Sequence, residues 1–342
     1  MKAIVFEQHG PPDVLKYMDV PQPAIKPNEV LVRVKACALN HLDLWVRQGL
    51  PGVSFPLPHI PGSDVAGEIA QIGSDVTTVK VGQKVVLAPG VSCGKCLACL
   101  SGLDNRCRYF TNLGYMIDGG CAEFVRVPEV NCLPYPENLS FEEAAAVPLV
   151  FQTAWHMLVG RAQLQPGEDV LILGASSGVG SAAIQIAKVF GARVITTAGT
   201  DEKLQKAKQL GADHGINHKS QKIREEVRRI TYKRGVDVVF EHVGTATWDE
   251  SIASLAPIGR LVTCGATTGF DAKIDLRFLF SRQISLLGSY MGTKSELHTV
   301  LKLVAAGRLK PIVDRVFPLA EAAAAHAYLE SSSQFGKVVL RV

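Results

Sequence analysis

The chain of 342 residues is expected to fold as an α/β protein in two parts, a β-rich domain followed by a doubly wound domain built on a parallel sheet. Three observations carry that expectation. The length exceeds what one hydrophobic core usually organises, so two domains are the natural division. The first part alternates short strand-like runs with Pro and Gly clusters. From about Ser140 the texture changes to apolar strands alternating with amphipathic helices.

In the first part the strand-like runs are Ala3–Phe6, Val30–Ala36, Glu68–Ile72, Lys84–Ala88 and Glu123–Val127. Clusters such as Gly10-Pro11-Pro12 and Gly49-Leu50-Pro51-Gly52 separate them. Ser140-Phe-Glu-Glu143 has the capping-box pattern that opens a helix. The later strands are Asp169–Leu173, Arg193–Thr197, Asp237–Glu241, Arg260–Cys264 and Ile284–Ser289. Their Val, Ile and Leu content suits a parallel sheet covered on both faces. Helical patterns fall at Val179–Phe190, Asp201–Leu210, Ile223–Thr231 and Trp248–Leu255, and a final helix precedes the strand Lys337–Val342.

Composition narrows the functional classes. Hydrophobic residues make up 47% and charged residues 20% of the chain, ordinary values for a globular protein. The net charge of +4 is small, and its lysines and arginines are interleaved with acids, which argues against a nucleic-acid partner. The basic run from Lys219 to Arg234 contains Glu225 and Glu226 at helical spacing and reads as a solvated helix face. Neither a signal-peptide core nor a membrane span is expected: the most apolar stretch, Ala144 to Gly160, is interrupted by Pro148, Gln152, Thr153 and His156. The expected setting is cytoplasmic, where clustered cysteines suggest metal before disulfide.

The segment from Asp169 to Lys188 runs from a strand through a glycine turn into an amphipathic helix. Gly174, Gly178 and Gly180 permit a tight turn and close approach of backbone to a pyrophosphate, which the free N–H groups of the helix N-terminus favour. The second strand ends at Thr197-Ala198-Gly199-Thr200. A carboxylate there would bond ribose hydroxyls; Ala198 supplies none, and Lys203 follows one helical turn on. This pattern favours NADP(H) over NAD(H). Thr200 is also a natural helix N-cap. Gly265, directly after the strand Arg260–Cys264, is counted among the cofactor-contacting positions.

Cys93, Cys96, Cys99 and Cys107 form the most specific motif. Four thiolates at these spacings can surround one Zn²⁺ tetrahedrally and leave no open position for a substrate, so the expected ion is a structural zinc, one per subunit. Disulfides or a metal-free loop are the alternatives, and the spacing to Cys107 is too long for a ferredoxin run. The other four cysteines, Cys37, Cys121, Cys132 and Cys264, read as core residues.

A β-rich start, a four-cysteine loop and a nucleotide fold beginning Gly-Ala-Ser-Ser-Gly-Val-Gly together resemble the medium-chain dehydrogenase/reductase superfamily, over essentially the whole chain. The resemblance implies a GroES-like catalytic domain at residues 1–150 and 291–342, a Rossmann domain at 151–290 and an active-site cleft between them. It also implies a homodimer or homotetramer, with Ile284–Ser289 pairing across the dimer. Alcohol dehydrogenases of the superfamily hold a catalytic zinc with a Cys, the His of a Gly-His-Glu motif and a later Cys or acidic residue. Here those positions fall on Asn40, on Gly62-Ser63-Asp64 and near Leu149. An amide, a hydroxyl and an aliphatic chain cannot replace those ligands. An improvised site from Cys37, His41, His59 and Asp64 remains an alternative.

Leu-Asn-His-Leu-Asp, Pro-Gly-Ser-Asp-Val-Ala-Gly and the glycine turn look closer to the quinone-oxidoreductase branch. That likeness implies Asn40 and Thr153 at the nicotinamide end and Ser176 to Val179 at the pyrophosphate, with Ser177 and Gly178 between. Gly199, Thr200, Lys203 and His218 would surround the adenosine phosphate, and Lys337 would reach the pyrophosphate. His218 stands where the branch often has Tyr, and the branch usually lacks the cysteine loop. The leading expectation is hydride transfer from NADPH to a quinone or an α,β-unsaturated carbonyl, with Asn40, His41 and Asp43 as candidate catalytic polar groups. For Asp43 the role of a structural hydrogen-bond acceptor is the favoured one of the two. No residue announces itself as proton donor. A zinc alcohol dehydrogenase acting on a small alcohol is the rival reading. A non-enzymatic NADPH-binding structural or RNA-binding protein is the third.

Overall fold

The computed structural model describes residues 1–342. The chain divides into two compact units, Met1–Val150 with Thr293–Val342, and Phe151–Gly292. No helix is long and apolar enough to cross a membrane.

The first unit is built on a seven-stranded sheet. Its spatial order is Val313–Pro318, Lys337–Arg341, Glu29–Ala38, Asp64–Ile72, Lys84–Leu87 and Cys132–Pro134, with Phe124–Pro128 also paired to Glu29–Ala38. One face carries large apolar side chains, including Val32, Val34, Val65, Ile69 and Leu340, which pack on Phe6, Leu44 and Leu113. The other face is small: Ala36, Ala38, Ala66, Val86 and Val339 leave room for the helix Phe141–Ala145 to lie close, through Ala144 and Ala145. That helix opens with the expected capping box, Glu143 N donating to Ser140 Oγ at 3.2 Å and Ser140 N to Glu143 Oε2 at 3.0 Å.

Two register facts set up the site. The C-terminal strand runs antiparallel to Glu29–Ala38, with Val339 opposite Ala38 and Leu340 opposite Cys37. On the other side of the same strand, Ala38 faces Asp64. The end of Glu29–Ala38 is therefore flanked by Lys337 and Asp64. A helix not among the expected elements, His41–Gln48, starts immediately beyond.

The second unit holds a six-stranded sheet in the order His214–Asn217, Arg193–Ala198, Asp169–Ile172, Val236–Glu241, Leu255–Thr263 and Ser285–Gly288. Every neighbouring pair is parallel, the doubly wound arrangement of a Rossmann domain. Its strands are buried in runs, as both-face coverage requires: Asp169–Ile172 is buried throughout. The basic segment forms the helix Ile223–Ile230, which buries Ile223, Val227 and Ile230 and pairs Arg224 with Glu250 and Arg229 with Glu226.

Candidate active site and metal centre

In the first unit the polar residues converge on the C-terminal strand. Lys337 Nζ donates to Asn40 Oδ1 at 2.6 Å and to Asp64 Oδ2 at 3.0 Å. Asn40 Nδ2 donates to the same Asp64 Oδ2 at 3.0 Å, and Leu149 N donates to Asp64 Oδ1 at 2.8 Å. Asp64 is 0% exposed and Lys337 3%, so this is a buried ion pair whose carboxylate is saturated by donors. The ammonium of Lys337, the residue expected at a pyrophosphate, donates to Asn40 and Asp64 because the strand register delivers it beside Asn40.

Asp43 lies one helical turn below. Its Oδ2 accepts from Asn40 N at 2.7 Å and its Oδ1 from Gly62 N at 2.9 Å. It is fully buried, and burial lifts its pKa to about 6. Both oxygens are committed to backbone, so Asp43 is a brace between the helix start and the Gly62 turn. Of the two roles weighed for Asp43, this geometry is that of the structural acceptor. His41 begins the helix, half-buried, with its ring 6.4 Å from that of Trp45. Asn40 is the residue of this group that combines an amide with a place at the head of the helix.

The improvised metal set is dispersed. Cys37 Sγ lies 3.7 Å from Cys121 Sγ in the core. The His59 ring packs edge-on against Phe6 and sits 3.7 Å from Asp118, and Asp64 belongs to Lys337. At the matched metal positions, Ser63 Oγ donates to Leu113 O at 2.7 Å and Leu149 offers only its backbone.

Cys93, Cys96, Cys99 and Cys107 do converge: their Sγ atoms all lie within 4.8 Å of one another. The separations of 3.5 Å for Cys96–Cys99 and 3.9 Å for Cys93–Cys99 bracket the ~3.8 Å spacing of thiolates around a tetrahedral zinc with bonds of ~2.3 Å. Backbone N–H groups of Cys93 and Tyr109 point at Cys107 Sγ, as a thiolate requires. The lobe is tied down by Asp104, which accepts from Lys294 N and Lys294 Nζ, both at 3.0 Å. The four thiols fit a structural Zn²⁺.

The second unit brings its expected residues to one end of the parallel sheet. Ser177 caps the helix Gly178–Val189 by accepting from Gly180 N at 2.9 Å. Gly174 has φ +63°, and a Cβ on Gly180 would stand 2.2 Å from Gly174 O, so both glycines are demanded by the turn itself. Ser176, Ser177, Gly178 and Val179 are all half-buried around it. On the next strand, Ala198 ends Arg193–Ala198 without a carboxylate, and Thr200 Oγ1 caps the following helix by accepting from Lys203 N at 3.3 Å. His218 Nε2 and Lys219 Cε lie 3.4 and 3.2 Å from where a Cβ on Gly199 would be. The sequence places Lys219 at the start of the solvated basic run; its adjacency to His218 is the signal that brings it beside Gly199. The charges of Lys219 and Lys203, together with desolvation as the first cause, hold the His218 pKa below its usual value. Thr153 is 5% exposed and its Oγ1 has no hydrogen-bond partner.

Comparison with known proteins decides the ancestry. An alcohol dehydrogenase GroES-like domain model matches residues 26–137, and a zinc-binding dehydrogenase model matches 178–306. The quinone oxidoreductase of Rattus norvegicus is 32% identical over 99% of this chain and 97% of its own. The crystal structure of an NAD-dependent alcohol dehydrogenase superposes with TM-score 0.97 at 48% identity, covering 100% of both chains. The structure of the crotonyl-CoA carboxylase/reductase AntE V350A in complex with NADP gives TM-score 0.93 at 28% identity, over 100% of this chain and 95% of that one. The chain belongs to the medium-chain dehydrogenase/reductase superfamily. As a member it is an NAD(P)-dependent oxidoreductase, and its nucleotide unit has the glycine turn, the capped helix and the open strand end that such a cofactor needs. Asn40 and Ser63 are both hydrogen-bonded within the fold, to Lys337 and to Leu113 O.

Proposed function

We propose that the protein transfers hydride from NADPH to a quinone or to the β-carbon of an α,β-unsaturated carbonyl without a catalytic zinc. The observation that carries this reading is the Asn40–Asp64–Lys337 cluster. At the positions that the likeness matches to the ion's Cys and His in alcohol dehydrogenases, the chain supplies the amide of Asn40 and the hydroxyl of Ser63, and the adjoining Asp64 carboxylate is already neutralised by the ammonium of Lys337. A thiolate and a neutral imidazole are the donors zinc selects, and neither is present there.

Bound nicotinamide would supply the hydride. The chain's part is to hold and orient it. The N-terminus of Gly178–Val189 receives the pyrophosphate, and Thr153 Oγ1 holds the carboxamide end. Gly265, on the loop after Leu255–Thr263, takes its place among the cofactor contacts. Asn40, with its side chain held rigid by Lys337 and Asp64, is a candidate polar group of the site through its place at the head of the helix and not through a free amide donor. The absence of a carboxylate at Ala198, together with Lys203, His218 and Lys219 beside Gly199, supports NADP(H) over NAD(H).

The alcohol dehydrogenase reading is kept by the name of the structural relative at 48% identity, an NAD-dependent alcohol dehydrogenase. One experiment separates the two. Initial rates with NADPH and with NADH are measured against quinones, enones and simple alcohols, with zinc counted on the same sample. The proposal expects NADPH-dependent reduction of enones or quinones and one zinc per chain. Two zincs per chain with alcohol oxidation would overturn it. Self-association through the edge strand Ser285–Gly288 is part of the proposal. It is supported by exposed Leu276, Phe280 and Tyr290 in the same unit, and light scattering reads it directly.

A further inference from the structure

His242 has no role in the reading above, yet it occupies a junction. It follows the strand Val236–Glu241, which pairs in parallel with Asp169–Ile172. Its Nε2 lies 2.9 Å from Leu173 O, the last carbonyl before the glycine turn, and 3.4 Å from Ser177 Oγ. A carbonyl only accepts, so Nε2 carries the proton. Ser177 Oγ in turn donates to Gly174 O at 2.9 Å and caps the helix through Gly180 N. Gly174 makes room for this contact: a Cβ there would stand 3.2 Å from His242 Cε1 and Nε2.

The backbone of the same residue holds a second loop. His242 O accepts from Thr267 Oγ1 at 3.2 Å and would lie 3.2 Å from a Cβ on Gly265. Val243 O accepts from Thr268 N and from Thr268 Oγ1, both at 2.8 Å. The chain on either side is clamped by Glu241, whose carboxylate accepts from Val243 N, Gly244 N, Thr247 Oγ1 and Ser251 Oγ. The ring also meets Phe240 edge-on at 6.1 Å between centroids. Burial keeps the imidazole neutral by lowering its pKa.

From this geometry we infer that His242 is a positioning residue for the cofactor: its Nε2–H fixes the 173–177 turn and the N-cap of the phosphate-binding helix, while its carbonyl fixes the 265–268 loop. The inference rests on reading that turn as the pyrophosphate site. Loss of the N–H frees Leu173 O and Ser177 to shift, and a displaced helix N-terminus binds pyrophosphate less tightly. The adenosine 2′-phosphate end, built on a different strand around Gly199, does not depend on the ring.

The test is equilibrium binding of NADP⁺ and of 2′-AMP, which lacks the pyrophosphate, to the intact protein and to His242→Leu, His242→Gln and His242→Asn. In the wild type both ligands bind. His242→Leu weakens NADP⁺ about tenfold, the effect of about 1.4 kcal/mol, and leaves 2′-AMP within twofold. His242→Gln, whose amide reaches the Nε2 position, restores most of the loss, and His242→Asn, which is too short, does not. Equal weakening of both ligands, or unchanged NADP⁺ binding in His242→Leu, overturns the inference while the nucleotide site stands. If His242→Leu does not fold, equal NADP⁺ affinity of the Gln and Asn variants overturns it. Failure of the wild type to bind either NADP⁺ or NAD⁺ removes the nucleotide reading and the inference together.

Discussion

Lys337 shows how one side chain can close a site. Its ammonium is buried against Asp64 and Asn40, and Asp64 has no solvent to fall back on. Removing one partner of such a pair strands the other charge in a medium that solvates it poorly, a cost of about 3–5 kcal/mol. Lys337→Met is therefore expected to lose stability of that order in urea denaturation. Lys337→Met combined with Asp64→Asn is expected to recover much of it, since the stranded charge is gone. A Lys337→Met protein as stable as wild type would mean the pair is not the brace described. The lysine was legible in the sequence as a candidate, but its partner was not. Which strand lies beside Glu29–Ala38 is a long-range fact, and the pairing of Val339 with Ala38 joins positions about 300 residues apart.

At the scale of elements, legibility followed the strength of the local pattern. The strands Asp169–Ile172 and Arg193–Ala198 and the helix Gly178–Val189 are long apolar or strongly periodic segments, and each lies where the periodicity puts it. His214–Asn217 was invisible because one of its four side chains, Ile216, is buried apolar; its place comes from pairing with Arg193–Ala198. Val313–Pro318 was missed for a similar reason, having no fully buried residue. The helix His41–Gln48 did carry a signal, Asn40 followed by Asp43 three residues on, which the structure uses as a capping box. The cysteine cluster was legible in full because four thiols within fifteen residues need little long-range information to meet.

The nucleotide unit extends this to cofactor choice. Gly199, its neighbours on the following helix and the 217–219 turn bring Lys203, His218 and Lys219 to the end of one strand. A charge-assisted contact to a phosphate at such an exposed place is worth about 1 kcal/mol, or roughly fivefold in affinity. Lys219→Ala and Lys203→Ala are each expected to raise the KM for NADPH by about that factor and leave the KM for NADH unchanged. A parallel rise for both cofactors would assign the lysines to general electrostatics and not to the 2′-phosphate.

Stability against pH belongs to the whole molecule, because the groups that set it join distant parts of the chain. Arg47, on the helix His41–Gln48, is fully buried and reaches the helix Ala322–Glu330, where Glu330 accepts from it and His326 Nδ1 lies 3.4 Å away. Burial first, and then the Arg47 charge, lower the His326 pKa to about 3. An imidazole that must stay neutral when folded but takes a proton near pH 6.5 when unfolded contributes stability that is complete above that pH. The contribution is lost progressively as the pH falls towards 3. Between about pH 6.5 and 5 the loss is about 2 kcal/mol. Asp43 works in the opposite sense: its folded pKa of about 6 lies above the unfolded carboxylate value, so its contribution is present in acid and lost as the pH rises through about 6. The two partly cancel in the wild type, and substitution separates them. Urea midpoints of His326→Gln are expected to fall less than those of the wild type between about pH 7.5 and 5. Midpoints of Asp43→Asn are expected to fall more. Parallel pH curves for all three proteins would remove both groups from the account.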